Sequence, residues 1–344
     1  MKKEAMLYEK LENNMVHCYL CAHQCRILPP QFGVCGVRQN VDGKLYTLVY
    51  GDVIAAQTDP VEKKPLYHFL PGTSSYSIAT IGCNFSCGFC QNWRISQKSK
   101  KDISNSAEIE MLPMHVVRNA TECGSASISY TYTEPTIFFE YAYDTARLAK
   151  EIGIYNIFVT NGYMTEQAID TILPFLDAAN IDLKSFRKEY YVKNCKARLQ
   201  PVLDTIRRMK DRGIWIEITT LVIPGENDSR AELEDIAGFI SVIDKNIPWH
   251  ISRFHPDYKF DDYTETPTDT LEKALKIGKD CGLRYVYMGN VSGGQDTYCH
   301  NCNQLLVKRS FLGIEKFNIS DDKCQFCRAE IDGVWKPRNG KIMP

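Results

Sequence analysis

The chain is organised around Ile81-Gly82-Cys83-Asn84-Phe85-Ser86-Cys87-Gly88-Phe89-Cys90-Gln91-Asn92-Trp93. Its three cysteines have the spacing C-x3-C-x2-C, and an apolar run over residues 77–81 leads into them, as expected for a loop at a strand end. Three thiolates can hold three corners of a [4Fe–4S] cluster, whereas a structural cluster usually takes four. The fourth iron would then be open, and an incompletely ligated metal can bind a substrate or a cofactor.

This spacing resembles the motif of the radical SAM superfamily, C-x3-C-x-aromatic-C, and Phe89 occupies the aromatic position. The resemblance implies that Cys83, Cys87 and Cys90 bind a [4Fe–4S] cluster whose unique iron binds S-adenosylmethionine (SAM). It also implies that one electron cleaves the sulfonium to a 5′-deoxyadenosyl radical. Phe89 and Gln91 are then expected to contact the cofactor. The alternatives are a zinc loop that lacks one ligand, or three buried thiols.

Composition indicates a globular protein of about two domains, because the chain has 344 residues, 44% of them hydrophobic and 24% charged. Lys+Arg number 41 against 42 Asp+Glu, so the net charge does not indicate a nucleic-acid or membrane partner. No run of eighteen apolar residues occurs, and the N-terminus lacks the apolar region of a signal peptide. We therefore expect a cytoplasmic protein with no membrane partner.

The 14 cysteines indicate metal sites rather than disulfides, because the cytosol keeps thiols reduced. All of them except Cys123, Cys195 and Cys281 fall into three clusters. We interpret these three single cysteines as small buried hydrophobic residues.

The N-terminal segment, residues 1–66, contains the second cluster. Its four cysteines are Cys18, Cys21, Cys25 and Cys35. Four thiolates this close together can enclose one metal site, and zinc is the simpler occupant because a closed four-ligand site is structural. The spacing does not exclude an auxiliary iron–sulfur cluster. Both occupants therefore remain open.

Two strand-like runs, residues 44–50 and 53–57, follow these cysteines. Gly51-Asp52 joins the runs and suits a tight turn, so we predict a hairpin. The Pro-punctuated stretch 62–72 then leads to the three-cysteine loop, and Lys63, Lys64 or His68 are candidates to reach the mouth of the site.

Residues 67–295 alternate apolar strand-like runs with amphipathic helix-like runs. After the strand that leads into the cysteine loop, the predicted strands are 126–130, 155–160, 178–183, 214–223, 249–254 and 284–288. This alternation predicts parallel strands with right-handed crossovers. The predicted fold class is therefore α/β, a partial or nearly complete (β/α) TIM-type barrel, whose chemistry lies at the carboxyl ends of the strands.

Polar residues stand at those ends repeatedly, and we take them as candidate cofactor contacts. They are Thr133 and Glu134 after the second strand, Asn161 after the third, Asp182 and Lys184 at the end of the fourth and His255 after the sixth. The apolar Ile223, at the end of the fifth strand, is a further candidate contact. The superfamily resemblance implies roles for several of them. Glu134 stands where a Gly-Gly-Glu-like motif binds the methionyl ammonium group, although the paired glycines are absent here.

The same resemblance implies that Lys184 meets the methionyl carboxylate, that the run containing Ile223 forms an apolar wall for adenine, and that His255 is a late cofactor contact. Each of the charged residues also has a purely structural interpretation. Glu134 would cap the following helix, and Asp182 with Lys184 would form an ion pair at the barrel mouth.

The C-terminal segment, residues 296–344, contains two C-x2-C pairs. They are Cys299 with Cys302, and Cys324 with Cys327. Two such pairs separated by a strand-like stretch are typical of a zinc ribbon. A small module of this kind needs its metal to fold, so we expect structural zinc.

The resemblance extends over nearly the whole chain. It rests on the runs 18–25 and 35–38, the stretch 62–72, the loop 82–93, Tyr132-Thr133-Glu134-Pro135-Thr136 and the terminal cysteine pairs. Together they resemble the AmmeMemoRadiSam system radical SAM enzyme, which is similar to activating enzymes of the pyruvate formate-lyase type. The resemblance implies a reductant such as flavodoxin or ferredoxin and Memo-like and AMMECR1-like pathway partners. The substrate is not implied.

Two other functions remain as alternatives. The first is an activating enzyme that installs a glycyl radical on a partner enzyme, although the usual Asp-Gly-Pro-Gly segment is replaced here by Pro71-Gly72-Thr73-Ser74-Ser75. The second, which the neutral net charge disfavours, is a non-catalytic zinc-ribbon protein that binds nucleic acid.

Overall fold

The computed structural model describes residues 1–100, 109–310 and 313–338. Its centre is a sheet of eight strands, numbered here in chain order. They are β1 (Ala55–Pro60), β2 (Ser74–Ala79), β3 (Ser127–Tyr130), β4 (Tyr155–Thr160), β5 (Ala178–Asp182), β6 (Trp215–Val222), β7 (Trp249–Arg253) and β8 (Val286–Gly289). The strands are neighbours in sequence order, with β1 antiparallel to β2 and all other pairs parallel.

Six longer helices connect these strands. They are α1 (Pro113–Glu122), α2 (Phe139–Glu151), α3 (Glu166–Ile172), α4 (Leu199–Asp211), α5 (Arg230–Asp244) and α6 (Thr268–Asp280). Local sequence sets where they begin: Thr165 Oγ1 accepts a hydrogen bond from the Ala168 amide at the start of α3, and Ser229 Oγ does the same for Glu232 in α5. Among the described residues, none of the helices combines the length and apolar character needed to cross a membrane.

The sheet confirms the predicted α/β class in its partial form. β1 and β8 are the edges of the sheet, so it is curved around the site without closing into a barrel. The strands β3 to β7 are almost entirely buried, as expected for parallel strands covered by helices. This arrangement brings the carboxyl ends of neighbouring strands to one side.

The N-terminal residues form short strands and two short 3-10 helices. The strands are Lys3–Glu4, Tyr8–Lys10, Val16–Cys18, Cys25–Ile27, Arg38–Val41, Lys44–Thr47 and Asp52–Val53, and the 3-10 helices are Glu12–Asn14 and Val61–Lys63. The predicted hairpin between residues 44–50 and 53–57 is wrong. Lys44–Thr47 pairs instead with Arg38–Val41, while the later run becomes β1 and pairs with β2. Gly51 has φ +75° and turns the chain away from the first strand pair towards the central sheet.

The C-terminal segment packs against Tyr67, Tyr285 and Tyr287, near the start of β8. Its strands are Thr297–Tyr298, Leu305–Ser310, Gly313–Phe317, Ile319–Ser320 and Lys323–Cys324. The fully buried His68 links it to the sheet: Nδ1 donates to the Asp332 carbonyl oxygen at 2.7 Å, and Nε2 accepts from Tyr287 at 2.6 Å. Glu217 of β6 accepts the His68 amide at 2.8 Å. His68 is therefore a structural link and does not reach the candidate site.

This link predicts acid sensitivity of the fold. Burial lowers the pKa of His68 from 6.5 to about 4, so the unfolded chain binds the proton more readily than the folded chain. Stability should therefore decline as pH falls from about 6.5 to about 4, by about 3 kcal/mol from this group. We expect His68→Asn to be less stable at pH 7.5 but to lose less stability than the wild type between pH 7.5 and 5, measured by urea unfolding. Equal losses in the two proteins would contradict this origin.

Candidate active site

One cavity of about 310 Å³ lies at the carboxyl ends of the parallel strands. Its walls include nearly all the residues that were predicted from the strand ends. The predicted residues in the wall are Cys83, Cys87, Phe89, Cys90, Gln91, Thr133, Glu134, Asn161, Asp182 and Lys184. The cavity has the size and the mixture of apolar and polar walls typical of a cofactor site.

The three cysteines lie on the loop after β2, which backbone hydrogen bonds hold on both sides. The Gly82 amide bonds to Ile95 O of the short helix Trp93–Ser96 at 3.0 Å. The Gly88 amide bonds to Asn194 O at 3.1 Å, and the Ser86 amide to Cys195 O at 3.0 Å. The last two contacts come from the π-helix Tyr191–Cys195, which directly follows the short helix Lys188–Tyr190. The loop is therefore fixed against the segment after β5.

Cys195, which we interpreted as an ordinary buried hydrophobic residue, contacts this loop directly. The Cys195 thiol lies near Cys87 and lowers the pKa of Cys87, whereas burial raises the pKa of Cys195 itself. Cys195 is therefore the protonated partner, which can donate towards the Cys87 sulfur. Sequence spacing carries no sign of this contact, because the two residues are brought together only by the turn after β5.

Cys195 should raise the midpoint potential of the cluster that Cys87 would bind. Hydrogen bonds to a cluster sulfur stabilise the more negative reduced state, so Cys195→Ala should lower the midpoint potential by roughly 20–60 mV, the equivalent of one hydrogen bond in a one-electron couple. Cys195→Ser keeps a donor and should shift less. An EPR-monitored redox titration measures both variants. Equal potentials for wild type and Cys195→Ala would exclude this role.

Glu134 lies at the cavity wall with a side chain that is almost fully buried. Oε1 accepts hydrogen bonds from the Thr136 amide at 3.1 Å and from Thr160 Oγ1 at 2.7 Å, and Oε2 accepts the Asn161 amide at 2.8 Å. Burial raises the pKa of Glu134, and the Asn161 and Thr136 bonds oppose that rise. The helix-capping interpretation is correct, since Glu134 caps the 3-10 turn Pro135–Phe138. Oε2 accepts only one of these bonds, so it retains capacity for a cationic ligand.

Tyr132 has a left-handed backbone conformation, which a glycine would adopt without strain. Its φ is +62°, in the left-handed region that costs a bulky residue about 1–3 kcal/mol. The side chain is held from several directions: the hydroxyl donates to Asp59 and accepts from Gln57 Nε2 at 2.7 Å, and Lys64 Nζ lies 4.6 Å from the ring centroid. Side-chain contacts therefore replace the missing glycines in shaping the turn before Glu134.

Asp182 and Lys184 form the predicted ion pair within the cavity wall. Lys184 Nζ donates to Asp182 Oδ2 at 2.8 Å and lies 5.8 Å from the Phe89 ring centroid. Although burial opposes the charge, Asp182 and the Cys87 sulfur raise the pKa of Lys184 well above its usual value. The cavity wall therefore has a positive charge near Cys87.

Two predicted contacts lie outside the cavity wall. Ile223 is fully buried just beyond β6, and His255 is exposed two residues after β7. The wall positions on β6 are taken by Thr219 and Leu221, and those near β7 and β8 by Ser252 and Asn290. Residues 219 and 221 share a face of the strand, whereas the chain turns after Val222 and carries Ile223 into the core. Lys63 and Lys64 line the cavity, as expected for candidates from the stretch 62–72.

The C-terminal cysteines converge on a single point. The sulfurs of Cys299, Cys302, Cys324 and Cys327 all lie within 4.8 Å of one another. Cys299 and Cys327 are 3.6 Å apart, and Cys302 and Cys324 are 3.7 Å apart. A tetrahedral zinc ion with Zn–S bonds of about 2.3 Å requires sulfurs about 3.8 Å apart. This arrangement therefore suits one tetrahedral metal ion.

Comparison with known proteins agrees with this site. The profile of the radical SAM superfamily matches residues 77–240, which include the end of β2, the cysteine loop and β3 to β6. The uncharacterized protein MJ0808 of Methanocaldococcus jannaschii is 44% identical over 337 residues, or 96% of this chain and 99% of that protein. The chain belongs to the radical SAM superfamily. Members of this superfamily are enzymes.

One further relative and one solved structure are similar to this radical SAM chain. MJ1632 of Methanocaldococcus jannaschii, named as a candidate glycyl-radical enzyme activating enzyme, is 28% identical over 239 residues, 67% of this chain and 85% of that protein. The crystal structure of a radical SAM methyltransferase from Sphaerobacter thermophilus has a TM-score of 0.51 and 16% identity, covering 69% of this chain and 71% of that chain. The second likeness concerns the fold alone.

The residues of this radical SAM site fit the cofactors of the superfamily, a [4Fe–4S] cluster and SAM. The wall includes three thiols, the carboxyl group of Glu134 and the ammonium group of Lys184, and Leu221 supplies an apolar side chain. Thr219 Oγ1 is buried in the wall and has no hydrogen-bond partner among the described residues. An unsatisfied buried hydroxyl is costly, so it marks a place for a polar ligand atom.

Proposed function

We propose that the chain binds a [4Fe–4S] cluster through Cys83, Cys87 and Cys90, binds SAM beside it, and abstracts hydrogen from a substrate at the cavity mouth. The observation that carries this proposal is the meeting of three motif thiols with Glu134 and Lys184 in one cavity. When bound, the two cofactors supply reductive cleavage of the sulfonium and a 5′-deoxyadenosyl radical. The radical chemistry of the enzyme is then of the oxidoreductase or lyase type.

The side chains of the cavity supply binding and orientation. Glu134 Oε2 is the acceptor proposed for the methionyl ammonium group, and Lys184 Nζ the donor for the methionyl carboxylate, since each has the opposite charge to its ligand group. Thr219 and Leu221 provide a hydroxyl and an apolar face for the nucleoside. Holding both ends of the ligand fixes the sulfonium in one orientation and leaves less room for water.

We propose that the substrate enters beside Lys63, whose side chain is 68% exposed at the rim. A one-electron reductant of the flavodoxin or ferredoxin class completes the reaction. Within the superfamily, the sequence runs described above support assignment to the AmmeMemoRadiSam system enzymes, with Memo-like and AMMECR1-like proteins as pathway partners.

A second candidate function is activation of a glycyl radical enzyme, which the similarity to MJ1632 favours. The segment Pro71–Ser75 lacks the usual activase sequence, and here it is covered by the C-terminal segment. An added Cβ on Gly72 would lie 2.9 Å from Ile314 Cγ1, and the Leu70 amide bonds to Val334 O at 2.7 Å. A glycyl radical EPR signal in a partner enzyme, dependent on this chain and SAM, would establish the activase function.

The experiment that tests the proposed function is addition of SAM to anaerobically reconstituted, reduced protein. Binding at an open iron should change the EPR spectrum of the reduced cluster, and methionine alone should change it less. A spectrum unaffected by saturating SAM would contradict the proposed site, whatever the substrate.

We also propose that the C-terminal cysteines bind structural zinc as a zinc ribbon. Cys324→Ala should reduce zinc from about one ion per chain to near zero, because three remaining thiolates no longer close the site, and should leave iron content unchanged. Zinc and iron are measured by mass spectrometry, and the segment after residue 296 should become sensitive to protease. Cys123→Ala is the matched control, because this single cysteine is exposed and our interpretation of it as buried is wrong. Unchanged zinc in Cys324→Ala would contradict the assignment.

A further inference from the structure

The four N-terminal cysteines line a second, separate cavity of about 20 Å³. Apart from these thiols, its walls are mainly apolar, with Leu20, Ile27 and Ile137 among them and one charged residue, Arg38. An ideal Cβ on Gly33 would lie 3.8 Å from Cys25 Sγ and 3.9 Å from Cys35 Sγ, so the glycine leaves the space beside both sulfurs open. The thiols therefore face a shared space that is shielded by apolar side chains.

The water-sized space among these thiols argues against a compact site for a single ion. Sulfurs that bind one zinc ion lie about 2.3 Å from its centre, so no water-sized space remains among them. A cavity of 20 Å³ can hold about one water molecule. Among the described residues, the four sulfurs that lie within 4.8 Å of one another are those of the C-terminal site, and Cys18, Cys21, Cys25 and Cys35 do not form such a group.

The three cysteines of the radical SAM loop have the same open arrangement. They too line a cavity together without forming a group of sulfurs within 4.8 Å, as far as the described residues go. Thiolates bound to separate irons of a cluster stand farther apart than thiolates on one ion. The N-terminal set therefore resembles the radical SAM loop and differs from the compact C-terminal set.

We propose that Cys18, Cys21, Cys25 and Cys35 bind a second iron–sulfur cluster, a [4Fe–4S] cluster with all four irons held by the protein. Four thiolates complete its ligand set, so this cluster has no open iron for SAM or substrate. Arg38 Nη1 donates to Cys18 Sγ at 3.4 Å, and this guanidinium, which is 2% exposed, offsets the negative charge of thiolate ligands. Glu140 pairs with the same guanidinium and keeps it in place.

The second cluster would lie directly behind the radical SAM loop. The Cys35 carbonyl oxygen is 3.1 Å from the position of a Cβ on Gly82, the residue before Cys83. His23 Nε2 donates to the Asn84 carbonyl oxygen at 2.7 Å. The N-terminal segment and the loop that carries Cys83 therefore touch through their backbones, which brings the two cysteine sets close together.

Metal and sulfide analysis of anaerobically reconstituted full-length protein tests this inference. The wild type should contain about eight irons, about eight sulfides and about one zinc per chain. The triple variant Cys83→Ala, Cys87→Ala, Cys90→Ala should keep about four irons, and its reduced EPR spectrum should not respond to SAM. The double variant Cys18→Ala, Cys21→Ala should also keep about four irons, and its spectrum should respond to SAM.

A wild type with about four irons and about two zinc ions would overturn the inference without any variant. An iron-free triple variant that retains its C-terminal zinc would overturn it as well. Retention of about one zinc reports that each variant is folded, and Cys123→Ala controls for loss of a thiol. The inference does not rest on the proposed function, because the triple variant lacks the SAM site. A wild type with eight irons whose EPR spectrum does not respond to SAM would refute the proposed SAM chemistry and leave the second cluster standing.

Discussion

Cys87→Ala is expected to reduce 5′-deoxyadenosine formation from SAM to the level of a protein-free control. Two thiolates remain on the loop, too few to hold a cluster against loss in solution. Cys87 is the most informative of the three positions because it also contacts Cys195 and lies close enough to Lys184 to raise its pKa. The product is measured by chromatography after incubation with SAM and dithionite, and iron per chain is measured on the same sample.

The matched control for this variant is Cys123→Ala, which removes an exposed thiol at the end of α1. It should retain wild-type iron and product. Wild-type rates of SAM cleavage by Cys87→Ala would show that the loop does not hold the catalytic cluster.

Lys184→Met is expected to weaken SAM binding by about 10- to 100-fold, the equivalent of one charge-assisted hydrogen bond. Methionine keeps the packing volume against Phe89 but removes the ammonium group, so the apparent KM for SAM should rise much more than kcat falls. The unpaired Asp182 would add negative charge to the wall and oppose the methionyl carboxylate. Product formation over a range of SAM concentrations measures the effect.

Lys276→Met, on an exposed face of α6, is the matched control and should leave KM unchanged. Iron content should be the same in both variants. If Lys184→Met lowered kcat with an unchanged KM, Lys184 would act on the cluster or the loop, and its proposed contact with the methionyl carboxylate would be wrong.

Much of the fold could be predicted because each parallel strand is buried on both faces and separated from the next by an amphipathic helix. Residues 155–160 were predicted as a strand and form β4 with the same bounds, and residues 249–254 differ from β7 by one residue. The N-terminal hairpin was wrong because Gly51 indicates a turn without indicating which strand follows. The partner of residues 55–60 is β2, and this pairing depends on tertiary packing that local sequence does not specify.

The candidate site was predictable where it depended on strand ends, since these must meet at one edge of a parallel sheet. Glu134, Asn161 and Lys184 reach the cavity for that reason. Cys195 was missed because its contact with the loop depends on a π-helical turn, which no periodicity marks. The left-handed backbone of Tyr132 could not be predicted either, because it is maintained by distant contacts with Asp59 and Lys64.

Local sequence left the occupant of the N-terminal cysteine set open. Its spacing allows one ion or a cluster, whereas the C-terminal pairs are typical of a zinc ribbon. The distances between sulfurs separate them, because the C-terminal set is compact and the N-terminal set surrounds a cavity. Such distances follow from how the loops pack on the sheet, and they are not a property of the motif.

The most direct test of the central claim is single-turnover chemistry by the wild-type protein. Anaerobically reconstituted protein, given SAM and dithionite, should form 5′-deoxyadenosine in an amount that scales with protein concentration. Protein whose reduced cluster responds to SAM by EPR but which forms no 5′-deoxyadenosine would contradict this function.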